Sequence, residues 1–274
     1  MKYDLVIAYR IYPKMSKNPV DDFGHDKYVF AEKCLTSLKT ALGELTCKVY
    51  AILDNNCPPE YEKLFTNRFK KDDLEIIHTN LGNKGTFKKQ IEILSTQNDS
   101  NIIYFAEDDY FYVKNLENMI HFIKSKKADF VSPYEHPACY TDGHIIKNER
   151  VLFEDQEYIS VQHACLTFMT TKENLIKNKR YMLIYSDWFG SDFVVWGTIS
   201  LGRTYFKYFR LLLHPKNYTI INLKVYGSML FFAWQRFVMN KKYKLFMPVM
   251  SFGTHMEKDW LAPGVNWSDY FNRA

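Results

Sequence analysis

The first half of the chain alternates short, continuous apolar runs with segments in which apolar residues recur every three to four positions. The apolar runs predict β-strands that are buried on both faces. The segments of helical periodicity predict amphipathic helices, of which Lys27–Leu42 is the clearest. The predicted strands are Tyr3–Tyr9, Cys47–Leu53, Leu74–His78, Asn101–Ala106 and Asp129–Ser132, and the other predicted helices are Pro58–Phe69, Thr86–Leu94 and Leu116–Lys126.

This alternation predicts an α/β fold in which a mostly parallel sheet is covered by helices on both faces. Ligands of such sheets bind at the carboxyl ends of the strands, so we expect the loops after Tyr9, Leu53, Asn80 and Ala106 to lie along one edge. The pattern is less regular beyond Tyr140. There it predicts one or two strands in Tyr158–Thr171, helices at Asp192–Leu201 and Asn222–Met239, and a last strand at Lys244–Met250. No linker or internal repeat divides the sequence, which favours a single domain over residues 1–274.

Composition narrows the class of protein. Of the 274 residues, 47% are hydrophobic and 24% charged, which excludes a disordered chain. The formal net charge of +5 is too small to indicate nucleic-acid binding, and we expect no nucleic-acid partner. The five cysteines form no Cys-x-x-Cys pair, which favours a reducing compartment. Because the apolar run at the N-terminus is too short for a signal peptide, we expect a cytoplasmic protein.

The charge is concentrated in one segment. Between Phe193 and Met256 there are nine lysines and arginines and no Asp or Glu, and aromatic residues are interleaved with the basic ones. Such a composition suits peripheral contact with an anionic membrane surface on the cytoplasmic side. The alternative is a buried segment whose long basic side chains reach solvent.

The strongest candidate for chemistry is a run of three carboxylates, Glu107, Asp108 and Asp109, directly after a very apolar predicted strand. Adjacent carboxylates at a sheet edge repel one another. A divalent cation would compensate for this repulsion, and oxygen ligands suit Mg²⁺ or Mn²⁺, which would also bridge the phosphates of a nucleotide. A solvated acidic turn or the start of a helix is the alternative interpretation.

The order of motifs around this triplet resembles that of GT-A nucleotide-sugar glycosyltransferases, of the family-2-like Asp-x-Asp type found in bacterial surface-glycan enzymes. In that family a first strand and loop hold the nucleoside, an acidic residue ends the second strand, and an Asn/Gly-rich stretch and a helix precede the Asp-x-Asp strand. This chain has Ile7–Arg10, Asp54, Asn80–Gly85 and the triplet in the same order. Glu107 departs from the family pattern, which has Asp in the first position.

The resemblance covers Lys2 to Tyr112 well and the remainder loosely. It implies one GT-A-like domain with a Rossmann-type sheet. Residues 1–112 would form the nucleotide-sugar-binding half and residues 113–274 the acceptor-binding half.

The resemblance also implies roles for individual residues. Those expected to contact the nucleotide sugar are Tyr9, Arg10, Asp54, Lys84, Glu107 and Asp108. Asp54 would accept a hydrogen bond from the base, although a carboxylate at a strand end is equally suited to an Asx-turn. The metal ion, Mn²⁺ or Mg²⁺, would be held by Asp109 and Glu107 and by a late histidine, His255.

A second acidic cluster lies in Tyr185–Phe193, before a predicted helix. In inverting members of the family, a carboxylate at such a helix start removes the proton of the acceptor hydroxyl, which is a poor nucleophile until deprotonated. Asp192 is the first candidate for this base and Asp187 the second, and helix capping is the alternative role. Trp260 and Trp267 are candidates for stacking on a sugar or for packing the chain end.

The sequence therefore predicts a metal-dependent glycosyltransferase that moves a sugar from a nucleoside-diphosphate sugar to a hydroxyl of a glycan or lipid-linked acceptor. A UDP-linked donor and an inverting reaction are favoured. A sugar nucleotidyltransferase is disfavoured because Tyr9–Lys14 contains none of the glycines that such a phosphate loop uses. A non-catalytic carbohydrate- or membrane-binding protein on the same scaffold is the other alternative.

Overall fold

The computed structural model describes residues 1–22, 24–140, 149–189, 191–200, 227, 231, 243–271 and 273. The predicted helix Asn222–Met239 and most of the basic aromatic segment therefore lie outside the described residues, as does the expectation of membrane contact that depends on them. None of the helices within these ranges combines the length and the apolar character that crossing a bilayer requires.

Eleven strands are found in the described ranges. They are β1 (Leu5–Ile11), β2 (Cys47–Leu53), β3 (Leu74–His78), β4 (Ile102–Glu107), β5 (Tyr110–Tyr112), β6 (Phe130–Val131), β7 (Arg150–Phe153), β8 (Gln156–Val161), β9 (Phe168–Thr171), β10 (Leu245–Pro248) and β11 (Gly253–His255). Nine of them form one sheet in the order β3-β2-β1-β4-β9-β6-β10-β8-β7, and β5 pairs with β11 in a small second sheet.

The large sheet is mostly parallel. Strand β1 pairs in parallel with β2 and β4, and β2 pairs in parallel with β3. Strand β9 runs antiparallel between β4 and β6, and β8 runs antiparallel to both β10 and β7. Because β6 and β10 are parallel to each other, only β8 and β9 run against the direction of the other seven strands. The predicted α/β fold is thereby confirmed.

Helices cover both faces of this sheet, as predicted. They are α1 (Lys27–Leu42), α2 (Glu60–Thr66), α3 (Gly82–Thr96), α4 (Glu117–Lys124), α5 (Lys172–Ile184), α6 (Asp192–Ser200) and α7 (Trp267–Phe271), with a π-helical turn at Tyr185–Phe189 between α5 and α6. Alternate residues of β1 enter two separate hydrophobic clusters: Leu5, Ile7 and Tyr9 pack with α1, α2 and α4, whereas Val6 and Ala8 pack with α3, α5 and α6. This alternation decides which side chains of β1 reach each face.

The structure contains five elements that the sequence analysis did not predict, namely strands β5, β7 and β11 and helices α5 and α7. The strand predicted at Lys244–Met250 is β10, but it is not the last one, because β11 follows it and pairs with β5. Neither β5 nor β11 was predicted: each has three residues, and their partners lie far apart in the chain, so neither leaves a local periodic pattern.

Candidate functional site

A cavity of about 320 Å³ lies at the carboxyl ends of β1 and β4. This is the edge at which ligands of parallel sheets bind. Its lining residues are Arg10, Ile11, Tyr12, Lys14, Met15, Ser16, Lys27, Asn83, Thr86, Glu107, Asp108 and Asp109. The structure therefore places Arg10 and the whole carboxylate triplet, all predicted as site residues, in one cavity.

Each carboxylate of the triplet has a basic partner. Glu107 pairs with Arg10, Asp108 with Lys27 at 2.8 Å between Oδ2 and Nζ, and Asp109 with His255 at 3.1 Å between Oδ2 and Nε2. The sequence analysis inferred a divalent cation because the three adjacent carboxylates repel one another. In the structure, basic side chains of the protein compensate for this repulsion. That argument missed them because all three partners lie far from the triplet in the sequence.

The Arg10–Glu107 pair follows from the sheet register. Arg10 lies opposite Glu107 in the β1–β4 pairing and is buried. Its Nη1 group donates to the carbonyl of Asn83 at 2.8 Å and to Oγ1 of Thr86 at 3.4 Å, which ties β1 to the start of α3. The second carboxylate oxygen of Glu107 accepts a hydrogen bond from Oγ1 of Thr167 at 2.8 Å. Both oxygens of Glu107 are thereby engaged within the protein, and a metal ion at Glu107 would share an oxygen with Arg10 or Thr167.

Tyr9 does not line the cavity. It is fully buried on the opposite face of the sheet, where its ring packs edge-on against Phe65 with 5.5 Å between centroids. Successive strand residues face opposite sides, so Tyr9 and Arg10 cannot both face one pocket. Tyr12, which is 39% exposed, lines the cavity instead, and its backbone N–H donates to Oδ2 of Asp108 at 3.1 Å.

Lys27 is a site residue that the sequence analysis missed. Asp26 caps the N-terminus of α1 by accepting hydrogen bonds from the backbone N–H groups of Tyr28 and Val29. This cap places Lys27 in the first turn, with its side chain only 9% exposed and its Nζ at Asp108. The available signal was an Asp-capped helix start soon after the first strand, the place where such folds bind ligands.

The Asp109–His255 pair depends on the small β5–β11 sheet, in which His255 lies opposite Tyr110. Burial acts to lower the pKa of His255, but the carboxylate of Asp109 outweighs it and raises that pKa to about 9. Burial acts to raise the pKa of Asp109, but His255, supported by Lys27 and Arg10, lowers it to about 2. Both groups are therefore charged at neutral pH.

This pair predicts a pH dependence of stability in the metal-free protein. A rise of the His255 pKa from 6.5 to about 9 corresponds to on the order of 3 kcal/mol of folding free energy. Because the folded-state pKa is raised, this contribution is fully present below pH 6.5 and is lost as the pH rises to about 9. Urea unfolding in EDTA at pH 6, 7.5 and 9 should show this loss. The difference between the chain and His255→Gln should shrink toward pH 9, and a difference independent of pH would contradict the assignment.

The residues present fit a metal ion that a ligand completes. Within the described ranges, no three His, Cys, Asp or Glu side chains form a ready metal cage. Oδ1 of Asp109, however, is buried in the cavity wall and has no hydrogen-bond partner in the described part of the chain. Mg²⁺ is commonly held by one or two carboxylates together with substrate phosphates and water, so Asp109 would be the first protein ligand of such a site, and His255 could be a second ligand once it has lost its proton.

Asp54 and Lys84 lie outside the cavity lining. Asp54 is buried at the end of β2, where its Oδ1 accepts from Oγ1 of Thr79 at 2.8 Å and from the backbone N–H of Leu81 at 2.7 Å. These are tertiary contacts with the segment between β3 and α3, not the local Asx-turn that was the alternative role of Asp54, and its Oδ2 has no partner among the described residues. The ammonium group of Lys84 donates to the carbonyl of Trp188 at 3.3 Å, on the π-helical turn.

The two candidate bases occupy different environments. Asp187 lies on the π-helical turn, is 42% exposed, and pairs with Lys88 at 3.2 Å. Asp192 begins α6 and is partly buried, with its Oδ1 accepting from the backbone N–H of Phe193 at 2.7 Å. Burial raises the pKa of Asp192, and the nearby carboxylate of Glu107 raises it further. Asp192 is thus the candidate that lies within electrostatic reach of the triplet.

A chain of hydrogen bonds joins the segment before Asp192 to the cavity. Asn83 accepts from Arg10, and its Nδ2 donates to the hydroxyl of Tyr185 at 3.1 Å. Tyr185 also packs edge-on against Phe87 of α3, with 5.3 Å between ring centroids. These contacts fix the π-helical turn against α3 at the edge of the sheet where the cavity lies.

The two late tryptophans also differ. Trp267 is buried, and its Nε1 donates to the carbonyl of Ala262 at 2.7 Å, so it packs the chain end and is not available for stacking on a sugar. Trp260 is 40% exposed and remains a candidate for such stacking.

No protein-family model and no curated protein matches this chain. Among solved structures, it is similar to CMP:2-keto-3-deoxy-manno-octonic acid synthetase complexed with CTP, with 10% identity over 65% of this chain and 77% of that chain and a TM-score of 0.39. It is similar to the galactosyltransferase LgtC in complex with donor and acceptor sugar analogs, with 8% identity over 65% and 63% of the two chains and a TM-score of 0.38. It is also similar to S. aureus TarS, with 15% identity over 64% of this chain but only 29% of that chain and a TM-score of 0.38. With TM-scores below 0.5 and identities of 15% or less, these similarities assign the chain to no family.

Proposed function

We propose that this protein is a metal-dependent glycosyltransferase that uses a nucleoside-diphosphate sugar, with a UDP-linked donor favoured. One observation carries the proposal: a cavity at the carboxyl ends of β1 and β4 joins basic side chains to a buried Asp109 oxygen that has no hydrogen-bond partner in the described part of the chain. An anionic ligand and a divalent cation together would complement this combination of charges.

The donor would be held by the loop after β1. Lys14 and Lys27 line the cavity; Lys14 would supply positive charge for the diphosphate, and Lys27 would share its charge between Asp108 and the ligand. The exposed ring of Tyr12 at the cavity wall is suited to stacking on the base. Arg10 and Glu107 would act as positioning residues, because their hydrogen bonds connect β1, β4, α3 and Thr167 beneath this surface.

Asp109 and His255 would hold Mn²⁺ or Mg²⁺. When bound, such an ion neutralises charge on the leaving diphosphate. Asp109 offers its Oδ1 without breaking any hydrogen bond described here, whereas His255 would have to release its proton to solvent and give up its contact with Oδ2 of Asp109 to bind the metal.

Asp192 would accept the proton of the acceptor hydroxyl, on a glycan or a lipid-linked acceptor, in an inverting reaction. A carboxylate whose pKa is raised by burial is a stronger base than an exposed one, and efficient general bases have a pKa near the working pH. Asp187, paired with Lys88 on the surface, is the weaker candidate.

The proposal is tested by incubating the protein with UDP-, GDP- and CMP-sugars and simple glycosides, with Mn²⁺ or with EDTA, and measuring released nucleotide and glycosylated product by chromatography. We expect UDP release and product formation that require Mn²⁺. In a parallel incubation with CTP or UTP and a sugar 1-phosphate, release of pyrophosphate would instead indicate a sugar nucleotidyltransferase. Nucleotide binding without any turnover would indicate a non-catalytic binding protein.

A further inference from the structure

Four partly exposed rings form a continuous row beside the carboxylate triplet. The ring of Trp260 lies 5.1 Å from that of His136, His136 lies 5.6 Å from His163, and His163 lies 6.0 Å from Phe193, measured between centroids. His136, His163 and Phe193 are of intermediate exposure, and Trp260 is 40% exposed. The row therefore presents ring faces and edges that a ligand can reach.

The rings meet at steep angles, so the surface is corrugated. The interplanar angles along the row are 47°, 81° and 52°. Two of the four rings are imidazoles, so the row combines apolar ring surfaces with polar nitrogens. A pyranose ring has the complementary character, with apolar C–H faces and a rim of hydroxyl groups that act as donors and acceptors.

His136 is held in one defined state. Its Nδ1 accepts a hydrogen bond from the backbone N–H of Ala138 at 3.1 Å, which leaves Nε2 to carry the proton of the neutral ring. Burial, together with the charges of His163 and His255, lowers the pKa of His136 to about 4, so the ring stays neutral at physiological pH. The centre of the row thus offers a neutral ring and an N–H donor, which suits an uncharged hydroxylated ligand better than an ionic one.

Both ends of the row adjoin residues of the candidate site. The hydroxyl of Tyr134 donates to the carbonyl of Trp260, and its ring lies 5.3 Å from His136 and 6.4 Å from His255, the candidate metal ligand. At the other end, Phe193 directly follows Asp192, the candidate base. A glycan lying along the rings would therefore extend from the side of His255 toward Asp192.

We propose that Trp260, His136, His163 and Phe193 form the acceptor subsite, and that they bind a neutral pyranose by stacking and by hydrogen bonds from the imidazole edges. The identification of this ligand as an acceptor rests on the proposed glycosyltransferase function. The binding of a neutral sugar by these four rings does not rest on it.

The test measures the binding of four methyl glycosides (of glucose, galactose, mannose and N-acetylglucosamine) by saturation-transfer NMR titration of the full chain. We expect at least one of them to bind. Trp260→Ala should raise its dissociation constant about tenfold, whereas the dissociation constant of Trp260→Phe should stay within about threefold of that of the unchanged chain. Trp188→Ala is the matched control, because Trp188 is also exposed, at 57%, but contributes no ring to the row. It should leave glycoside binding unchanged.

Two results would overturn the assignment: none of the four glycosides binds, or a glycoside binds equally well to Trp260→Ala and to the unchanged chain. A thermal-shift measurement with UDP and Mn²⁺ on the same samples separates the two proposals. Glycoside binding that depends on Trp260, without any UDP shift, would support the ring row and contradict a UDP-dependent transferase. A UDP shift without glycoside binding would support the transferase and contradict the ring row.

Discussion

Replacing Asp192 with asparagine should lower kcat by about 10³-fold while the KM for the donor changes by no more than about threefold. The substitution keeps the size and hydrogen-bonding shape of the side chain, including the oxygen that accepts from Phe193, but removes the basic oxygen that would take up the acceptor proton. Steady-state kinetics of nucleotide release with a saturating glycoside acceptor measure both constants.

Asp187→Asn is the matched control for this substitution. Asp187 lies only five positions away, but it is exposed and paired with Lys88, so its loss should change kcat by no more than about threefold. A loss of activity in Asp187→Asn that equals or exceeds the loss in Asp192→Asn would reverse the assignment of the base.

The same residue predicts the acid limb of the pH profile. Asp192 acts as a base only when deprotonated, and burial raises its pKa above the ordinary value of 3.8. Activity should therefore rise with pH through a transition above that value. In Asp192→Asn the residual activity should lack this transition, and an unchanged acid limb would contradict the role of Asp192.

Replacing Asp109 with asparagine should lower kcat/KM by about 10³-fold and remove the dependence of the remaining activity on Mn²⁺. The substitution is close to isosteric but removes the charge that would hold the metal. It also leaves His255 without its ion-pair partner, so the pKa of the imidazole should fall and metal-free stability at pH 6 should decrease.

Two measurements separate these effects. Circular dichroism and urea unfolding show whether Asp109→Asn is folded at the assay temperature, and assays run from micromolar to millimolar Mn²⁺ show whether the loss lies in the metal. A folded Asp109→Asn protein that keeps full, Mn²⁺-stimulated activity would contradict the assignment of Asp109 as a metal ligand.

Much of the fold could be predicted from the local pattern of apolar and polar residues. The bounds predicted for α1, β2 and β3 agree with the structure at Lys27–Leu42, Cys47–Leu53 and Leu74–His78. These elements have strong periodicity and clear ends, such as the Asp26 cap and the glycine that follows Leu42. The start of α3 at Gly82 was placed four residues late, because Gly82–Gly85 is unfavourable for a helix on propensity alone. The structure shows Asp54 accepting a hydrogen bond from Leu81 at this boundary, a tertiary contact that the local sequence does not reveal.

The carboxylate triplet could also be predicted from the sequence, but the basic residues that pair with it could not. Arg10, Lys27 and His255 come from three distant parts of the chain, and only the strand register, the α1 cap and the β5–β11 pairing bring them to Glu107, Asp108 and Asp109. A short antiparallel pair of three residues per strand is determined by tertiary packing, not by local propensity. Without knowledge of this tertiary packing, the charge balance of the site could not be inferred.

One error was avoidable. Tyr9 and Arg10 were both assigned to the pocket, although consecutive residues of a strand face opposite sides of the sheet. The burial of Tyr9 beside Phe65, and of Arg10 beside Glu107, shows the two faces directly. Applying the alternation to the predicted strand would have selected one of the two residues.

The central claim is that the cavity binds a nucleoside diphosphate together with a divalent cation at Asp109, and a thermal-shift measurement tests it most directly. The unchanged chain and Asp109→Asn are melted with UDP, GDP, CDP or CMP, each in Mn²⁺ and in EDTA. A ligand at 100 times its dissociation constant adds about 2.7 kcal/mol to the free energy of unfolding, which is readily seen as a higher melting temperature. We expect such an increase with one nucleoside diphosphate, UDP being favoured, only in Mn²⁺ and only in the unchanged chain. No increase with any nucleotide, or the same increase in EDTA and in Asp109→Asn, would contradict the claim.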